Sequence, residues 1–125
     1  MSVNVKLLKK VRKLIADEPR RLDMSYWGMQ VKHMKEKPVN PPPCGTVACL
    51  AGWTVLAANP KKNWEKLFHD AEGLVPVGAN YPADTKYEAA KLLGLDIENC
   101  PFNRLHWKVP DVLAWIDEQI AGAKP

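Results

Sequence analysis

The stretch from residue 41 to 60, PPPCGTVACLAGWTVLAANP, constrains the fold more than any other part of the sequence. It places a run of small and apolar residues between a triple proline and an Asn-Pro pair. Proline is not tolerated in a helix interior, so the two proline sites predict the ends of one apolar helix. Thr46 is the best candidate for its N-cap, and Gly45 allows an unusual backbone angle before it. The helix is expected to end near Asn59-Pro60.

The composition of this predicted helix indicates a place at the centre of the core. Its larger apolar positions recur at helical spacing and are expected to fill one face: Val47, Leu50, Ala51, Thr54, Val55 and Ala58. The small residues Ala48, Cys49, Ala51 and Gly52 would let a neighbouring helix or a tryptophan ring approach closely. A glycine inside a helix costs about 1 kcal/mol relative to alanine, which close packing at Gly52 can offset.

A second helix is predicted near the N-terminus of the sequence. Apolar residues repeat at helical spacing from Leu7 to Ile15, with lysines and an arginine on the other faces. Asn4 or Ser2 would cap its start, and it should stop before Pro19. A short helical turn is expected to begin at Asp23 or Ser25 and to carry Met24 and Trp27 inward, and residues 28–43 are expected to form a loop.

Two more helices are predicted in the second half. Thr85-Lys86-Tyr87-Glu88 forms a capping-box pattern, and Gly94 would end that helix. The last helix has Pro110 in its first turn and Gly122 past its end. A chain of 125 residues is most simply one domain. The sequence therefore predicts an all-α fold, a compact single-domain bundle over residues 1–125 with about four main helices, short helical turns and proline-rich loops.

Charge is unevenly distributed along the chain. Residues 1–37 contain ten Lys and Arg against four Asp and Glu, whereas the remainder contains eight against ten, which agrees with the overall net charge of +4. A basic first third is compatible with nucleic acid, a nucleotide or an acidic protein surface as partner, but a solvated helix face with spare lysines explains it better. The spacings of the common nucleic-acid-binding motifs are absent, so binding to nucleic acid has no motif to support it.

The sequence contains no apolar run long enough to span a membrane, and its first residues, MSVNVKLLKKVRK, lack the apolar segment of a secretory signal. A cytoplasmic location and no membrane partner are therefore expected. Three cysteines, an odd number, argue against a disulfide framework in such a compartment.

The cysteines could bind a metal ion or act as nucleophiles, and the sequence favours neither role. Cys44 and Cys49 are separated by four residues, which is not a strong zinc spacing, so no metal and no other cofactor is predicted. Buried cysteines that pack as small apolar residues explain the pattern better. Cys44 could act as a nucleophile near a helix start, with His106 or His33 as its base. This enzyme hypothesis ranks third, after one hypothesis of ligand binding and one of protein binding. No catalytic residue is therefore predicted.

A ligand pocket at the predicted helix start is the second hypothesis. Backbone amides at a helix N-terminus bind anions, and tryptophans can stack on a planar ring. The candidate ligand-binding residues are Gly45, Thr46, Trp27, Trp53, Lys32 and His33. Their ligand would be a small nucleotide-like anion. For each residue alone, packing in the core, as for Trp27 and Trp53, or capping of a helix, as for Thr46, is the favoured explanation.

The order DMSYW, CGTVACLAGW, AAKLLGL and a final helix resembles a family of small, uncharacterised proteins from bacteria and bacteriophages that share a CGT-x-x-C-x-AGW core. The resemblance spans roughly residues 5–110. It implies a compact helical protein of phage or bacterial origin, and small phage proteins are often interaction proteins. The first hypothesis is therefore a non-enzymatic accessory protein that binds and inhibits or sequesters a host component, with a host protein as partner or with self-association into a homo-oligomer.

Overall fold

The structure is a computed structural model, which describes residues 3–24, 28–30, 32, 39, 42, 45–60, 62, 64, 68–69, 73–74, 85–104 and 106–123. Its described part is built on four α-helices: α1 (Val5–Asp17), α2 (Leu50–Ala57), α3 (Thr85–Leu93) and α4 (Val109–Gly122). Two 3-10 turns lie at Pro19–Arg21 and Ile97–Asn99. The predicted all-α bundle is confirmed.

Short strands join the loops between these helices. Each strand has two residues, and they form two antiparallel pairs: β1 (Met29–Gln30) with β2 (Thr46–Val47), and β3 (Phe68–His69) with β4 (Gly73–Leu74). The sequence predicted a loop at residues 28–43 and a helix start at Thr46, so the pairing of β1 with β2 was not predicted. Each pair of strands joins two loop segments.

Helix α1 begins and ends where its sequence predicted. The side chain of Asn4 accepts a hydrogen bond from the Leu7 amide at 3.1 Å and caps the helix, which ends before Pro19. Leu8, Val11 and Ile15 are fully buried. Burial of each side chain stabilises the fold by about 1.5–3 kcal/mol, and α1 packs against both α2 and α4.

Helix α2 is buried on every side. All of its residues from Leu50 to Ala57 are buried, whereas the sequence predicted one apolar face. The helix packs against α1 and α3, and Trp64 covers its C-terminal end. The prediction of one face was wrong because the helix has neighbours all round and no solvated side. Its end before Asn59-Pro60 is as predicted.

The start of α2 differs from the prediction. Thr46 does not cap the helix, because it lies in β2 and pairs with Gln30 of β1. Cys49 is the N-cap, and its Sγ atom accepts a hydrogen bond from the Gly52 amide at 3.4 Å. The helix therefore begins four residues after Thr46. Gly45 has a positive φ of 71°, which agrees with the predicted unusual backbone angle.

The segment after α1 is hydrogen-bonded to the segment before α2. Leu22 forms a parallel bridge with Ala48, in which the Asp23 amide donates to the Ala48 carbonyl and the Ala48 amide donates to the Arg21 carbonyl, both at 3.0 Å. Met24 is buried next to this bridge, as predicted for a residue that turns inward. The bridge fixes the position of the chain on both sides of the buried helix.

The ends of α3 and α4 follow from local signals. Gly94, at φ 72°, ends α3, and the Gly94 and Leu95 amides donate to the carbonyls of Lys91 and Ala90, which is a Schellman motif. Thr85 is the first residue of α3 and not the residue before it. Pro110 lies in the first turn of α4, and Gly122 is its last residue.

Gly45 and Gly122 allow a matched test of backbone strain. A Cβ atom at either position would meet no heavy atom within 4 Å, but only Gly45 has a positive φ. We expect Gly45→Ala to lower the free energy of unfolding by about 1–2 kcal/mol, because a side chain disfavours this conformation. Gly122→Ala should leave it unchanged or raise it slightly. Chemical denaturation of both variants measures this, and equal stabilities would show that the Gly45 backbone is not strained.

Candidate functional site

The predicted site residues are spread over different environments. Gly45 and Thr46 lie at the start of β2, where Thr46 is buried, and Lys32 is exposed two residues after β1. Trp27 and His33 lie outside the described residues. The structure thus places Thr46 opposite β1, and neither Gly45 nor Thr46 lies at a helix start.

Trp53 is a core residue. Its side chain is fully buried, and its indole Nε1 donates to the Arg21 carbonyl at 2.7 Å. The ring of Trp64 meets it edge-on, with ring centroids 5.7 Å apart. The contact with Trp64 and the hydrogen bond fix the ring of Trp53 inside the bundle, so its faces are not open to a stacked ligand.

The N-terminus of α2 is closed by two sulfur atoms. The Cys49 Sγ atom accepts from the Gly52 amide, and the Met24 Sδ atom accepts from the Leu50 amide at 3.5 Å. Both side chains are at most 5% exposed. The Leu50 and Gly52 amides at this helix start are therefore buried and already bonded. Gly45 and Thr46 lie before the helix and not at its start, and their role in binding a ligand stays a prediction.

Burial makes the Cys49 thiol a poor nucleophile. Desolvation raises the pKa of Cys49 to about 11, and the nearby Asp23 charge adds to the effect, although hydrogen bonds from backbone amides partly oppose it. Burial likewise raises the pKa of Cys100 to about 11. Both thiols are protonated near neutral pH. Cys44, the predicted nucleophile, lies outside the described residues.

The described residues contain no cluster of three or more side chains of the kinds that hold a metal ion. Cys49 is bonded to the α2 backbone, and Cys100 lies beside the Asp96 carbonyl. These two cysteines therefore contribute to the packing of the fold, and their thiols have different backbone partners.

An open cleft lies between the segment after α1 and the start of α4. Its volume is about 380 Å³, and it is lined by Leu22, Asp23 and Met24 on one side and by Trp107, Lys108, Val109 and Pro110 on the other. Sequence reasoning missed this cleft, although it named Met24 and Pro110 for other reasons. The two sides are more than eighty residues apart in the chain, so no local pattern joins them.

A second surface feature lies on α1. Lys6, Lys9 and Lys10 are exposed, and none of them forms an ion pair with any residue that the structure describes. We refer to these three residues as the lysine face. The other cations of α1 are paired: Arg12 with Asp117 at 2.7 Å and Lys13 with Asp17 at 2.8 Å. The lysine face thus places three exposed cations, without an ion pair to the described residues, on one part of α1.

Comparison with known proteins adds no relative. The sequence matches no family model, and the searches of curated proteins and of solved structures found no similar protein. The resemblance to the CGT-x-x-C-x-AGW family therefore stays a prediction. Among the described helices, none has the length and apolar character that crossing a membrane requires.

The sulfur cap at Cys49 can be tested with two substitutions. Cys49→Ser keeps an acceptor for the Gly52 amide, whereas Cys49→Ala leaves that buried donor without one. We expect Cys49→Ala to lower the free energy of unfolding by about 1–2 kcal/mol more than Cys49→Ser does. Urea unfolding gives both values. If Ala is tolerated better than Ser, the thiol matters through apolar burial and not as a cap.

The raised pKa of Cys49 predicts a loss of stability in alkali. The thiol ionises at about 9.0 in its ordinary state and at about 11 in the fold, so the folded chain holds the proton more tightly. Stability linked to this group is complete below pH 9 and is lost as the pH rises to about 11, by about 3 kcal/mol. The free energies of unfolding of the protein and of Cys49→Ser should converge across this range, because Cys49 titrates only in the unmodified protein, whereas the effect of Cys100 is common to both. Parallel curves would contradict the assignment.

Proposed function

We propose that the protein is a non-enzymatic accessory protein, of phage or bacterial origin, that binds an acidic surface on a host protein and inhibits or sequesters it. The observation that carries the proposal is the lysine face of α1. Its three side chains are exposed and unpaired within the described residues, so they are available to a partner. The resemblance stated above supports the origin and the accessory role.

The three charges of the lysine face lie close together. Lys6 and Lys10 are one helical turn apart, and Lys9 lies beside them, so the charges fall within one turn and about 6 Å along the helix axis. Such a patch matches a short acidic stretch of a partner protein. Charges placed this way guide association and fix orientation more than they add affinity.

The surroundings of the lysine face favour a protein over a nucleic acid. Exposed Asp17 lies at the C-terminal end of α1, and exposed Asp117 and Glu118 lie on the neighbouring helix α4. A long phosphate backbone that followed α1 would meet these carboxylates. The exposed residues of α1 also include no aromatic side chain on which a base could stack. A short acidic segment of a protein would not reach these carboxylates, and its binding needs no aromatic side chain.

The alternatives have less support from the described residues. An anion pocket at the start of α2 would need open amides, and these are buried and bonded to sulfur. A cysteine enzyme would need a thiolate near neutral pH, and the pKa values of Cys49 and Cys100 are both raised. Binding through the lysine face requires neither open backbone amides nor a thiolate.

Charge reversal at matched positions tests the proposal. The test variant carries Lys6→Glu and Lys10→Glu, and the control carries Lys62→Glu and Arg104→Glu, at two exposed cations outside α1. Both variants have the same net charge, so only position differs. A partner is first identified by cross-linking in host cells, and its affinity is then measured with purified proteins.

We expect the test variant to bind at least about tenfold more weakly and the control to bind within about twofold of the unmodified protein, because an interfacial charge acts at short range. Binding should also weaken as salt rises. Equal loss in both variants would mean that net charge alone matters. Retention of mixed-sequence DNA or RNA that depends on Lys6 and Lys10 would replace the protein partner with a nucleic acid.

A further inference from the structure

The start of α1 and the end of α3 are joined by two hydrogen bonds. The Asn4 backbone amide donates to the Leu93 carbonyl at 2.8 Å, and the Asn4 side-chain amide donates to the Leu92 carbonyl at 3.1 Å. Lys6 follows Asn4 by two residues, and Lys91 directly precedes Leu92. The geometry of the backbone therefore limits the distance between the Cα atoms of Lys6 and Lys91 to about 20 Å.

Two of the three lysines of the lysine face point away from α4. Arg12 marks the flank of α1 that faces α4, because it forms an ion pair with Asp117. An α-helix turns by about 100° per residue, so Lys10 lies about 160° and Lys6 about 120° from Arg12 around the helix axis. Lys6 and Lys10 are therefore open to a partner at the end of α1 to which α3 is bonded.

Helix α3 carries an exposed aromatic residue and an exposed cation one turn apart. The Tyr87 side chain is 56% exposed, and Lys91, four residues later, is exposed and forms no ion pair with a described residue. The Lys86 ammonium group lies 5.5 Å from the centre of the Tyr87 ring. One face of the ring thus carries a cation, which the ring attracts.

Tyr87 is suited to be the anchor of a protein contact. Among the described residues, only Tyr87 and Val39 are large apolar side chains that stand exposed. Tyrosine is enriched among the residues that dominate binding energy, whereas charges at the edge of an interface mainly guide association. An interface of standard size has about 800 Å² on each side and is therefore about 30 Å across. The lysine face and this side of α3 fit within that span.

We propose that the acidic partner protein covers the lysine face together with Tyr87 and Lys91 of α3. Carboxylates of the partner meet the lysines, and an apolar side chain beside them packs on the Tyr87 ring. The inference rests on the function proposed above and adds the composition of the partner, which is an acidic segment that contains an apolar residue. Charge complementarity supports it, because four exposed lysines without an ion pair to a described residue lie on this surface.

Two synthetic peptides separate the charge contact from the apolar contact. Each is a short run of glutamates, with a central leucine in the first and a central serine in the second. They are titrated into the full chain labelled with nitrogen-15. We expect the leucine peptide to shift the amide signals of Lys6, Lys10, Tyr87 and Lys91 in a saturable way. It should bind at least about threefold more tightly than the serine peptide, because only leucine buries apolar surface on the ring.

Substitutions on α3 assign the two contacts. Tyr87→Ala should weaken the leucine peptide by at least about threefold and the serine peptide by less than about twofold, whereas Tyr87→Phe keeps the ring and should change neither. Lys91→Glu should weaken both peptides. Arg104→Glu changes the net charge equally at an exposed position in the turn before α4, and it should leave both affinities within about twofold.

The results distinguish this inference from the function proposed above. If binding depends on Lys6 and Lys10 but not on Tyr87 and Lys91, the inference fails and the lysine face alone remains as the binding surface. If binding depends on neither pair, both proposals are contradicted. Equal binding of the two peptides also overturns the inference, because the apolar contact is then absent.

Two further results count against the inference. The absence of a saturable shift with either peptide below about 5 mM overturns it and leaves the function proposed above to its own test with a host protein. A short single-stranded DNA that binds more tightly than the leucine peptide, and that depends on Tyr87, would make the partner a nucleic acid.

Discussion

The burial of α2 on all sides is the constraint on which the rest of the described structure depends. Helices α1 and α3 pack directly on α2, and α4 packs on α1. A helix end without access to water still has amides that need acceptors. Here the acceptors are the Cys49 and Met24 sulfur atoms, which are weak acceptors but are also apolar enough to sit inside a core. One pair of side chains thus closes the helix end and fills space around it.

The same burial decides the chemistry of Cys49. A helix N-terminus usually lowers the pKa of a thiol, because its amides favour the negative charge. Here those amides do act in that direction, but desolvation is the larger effect and the Asp23 charge reinforces it. The pKa therefore rises. A cysteine at a helix start is a candidate nucleophile only when the helix start is open to solvent, and this one is closed.

Local signals in the sequence predicted the helices whose ends depend on neighbouring residues. Asn4 before α1, Gly94 after α3 and Pro110 in α4 act within a few positions of the ends they set. The start of α2 could not be predicted in this way. Thr46 is a favoured N-cap residue, but pairing with Gln30, sixteen residues earlier, takes it into a strand.

The lysine face and the cleft differ in the same way, since the first depends on local sequence and the second on contacts between distant segments. The lysine face was foreseeable, because its residues repeat along one predicted helix and exceed the nearby acids. The cleft was not, because residues 22–24 and 107–110 meet only through the packing of α1, α2 and α4. In the sequence, Trp53 lies close to the predicted pocket. In the structure its indole is buried in the core and donates a hydrogen bond to the Arg21 carbonyl.

The placement of the lysines on α1 is the opposite of what helix stability favours. Acidic residues near a helix N-terminus and basic residues near its C-terminus stabilise the helix dipole. Helix α1 has no acidic residue in its first turn and no basic residue in its last turn, while Lys6, Lys9 and Lys10 all lie in its N-terminal half. The ion pairs of Arg12 and Lys13 account for the cations of the other half. An acidic partner at the lysine face would bring negative charge to the positive end of the helix dipole, so the arrangement that is unfavourable in the free protein becomes favourable in a complex.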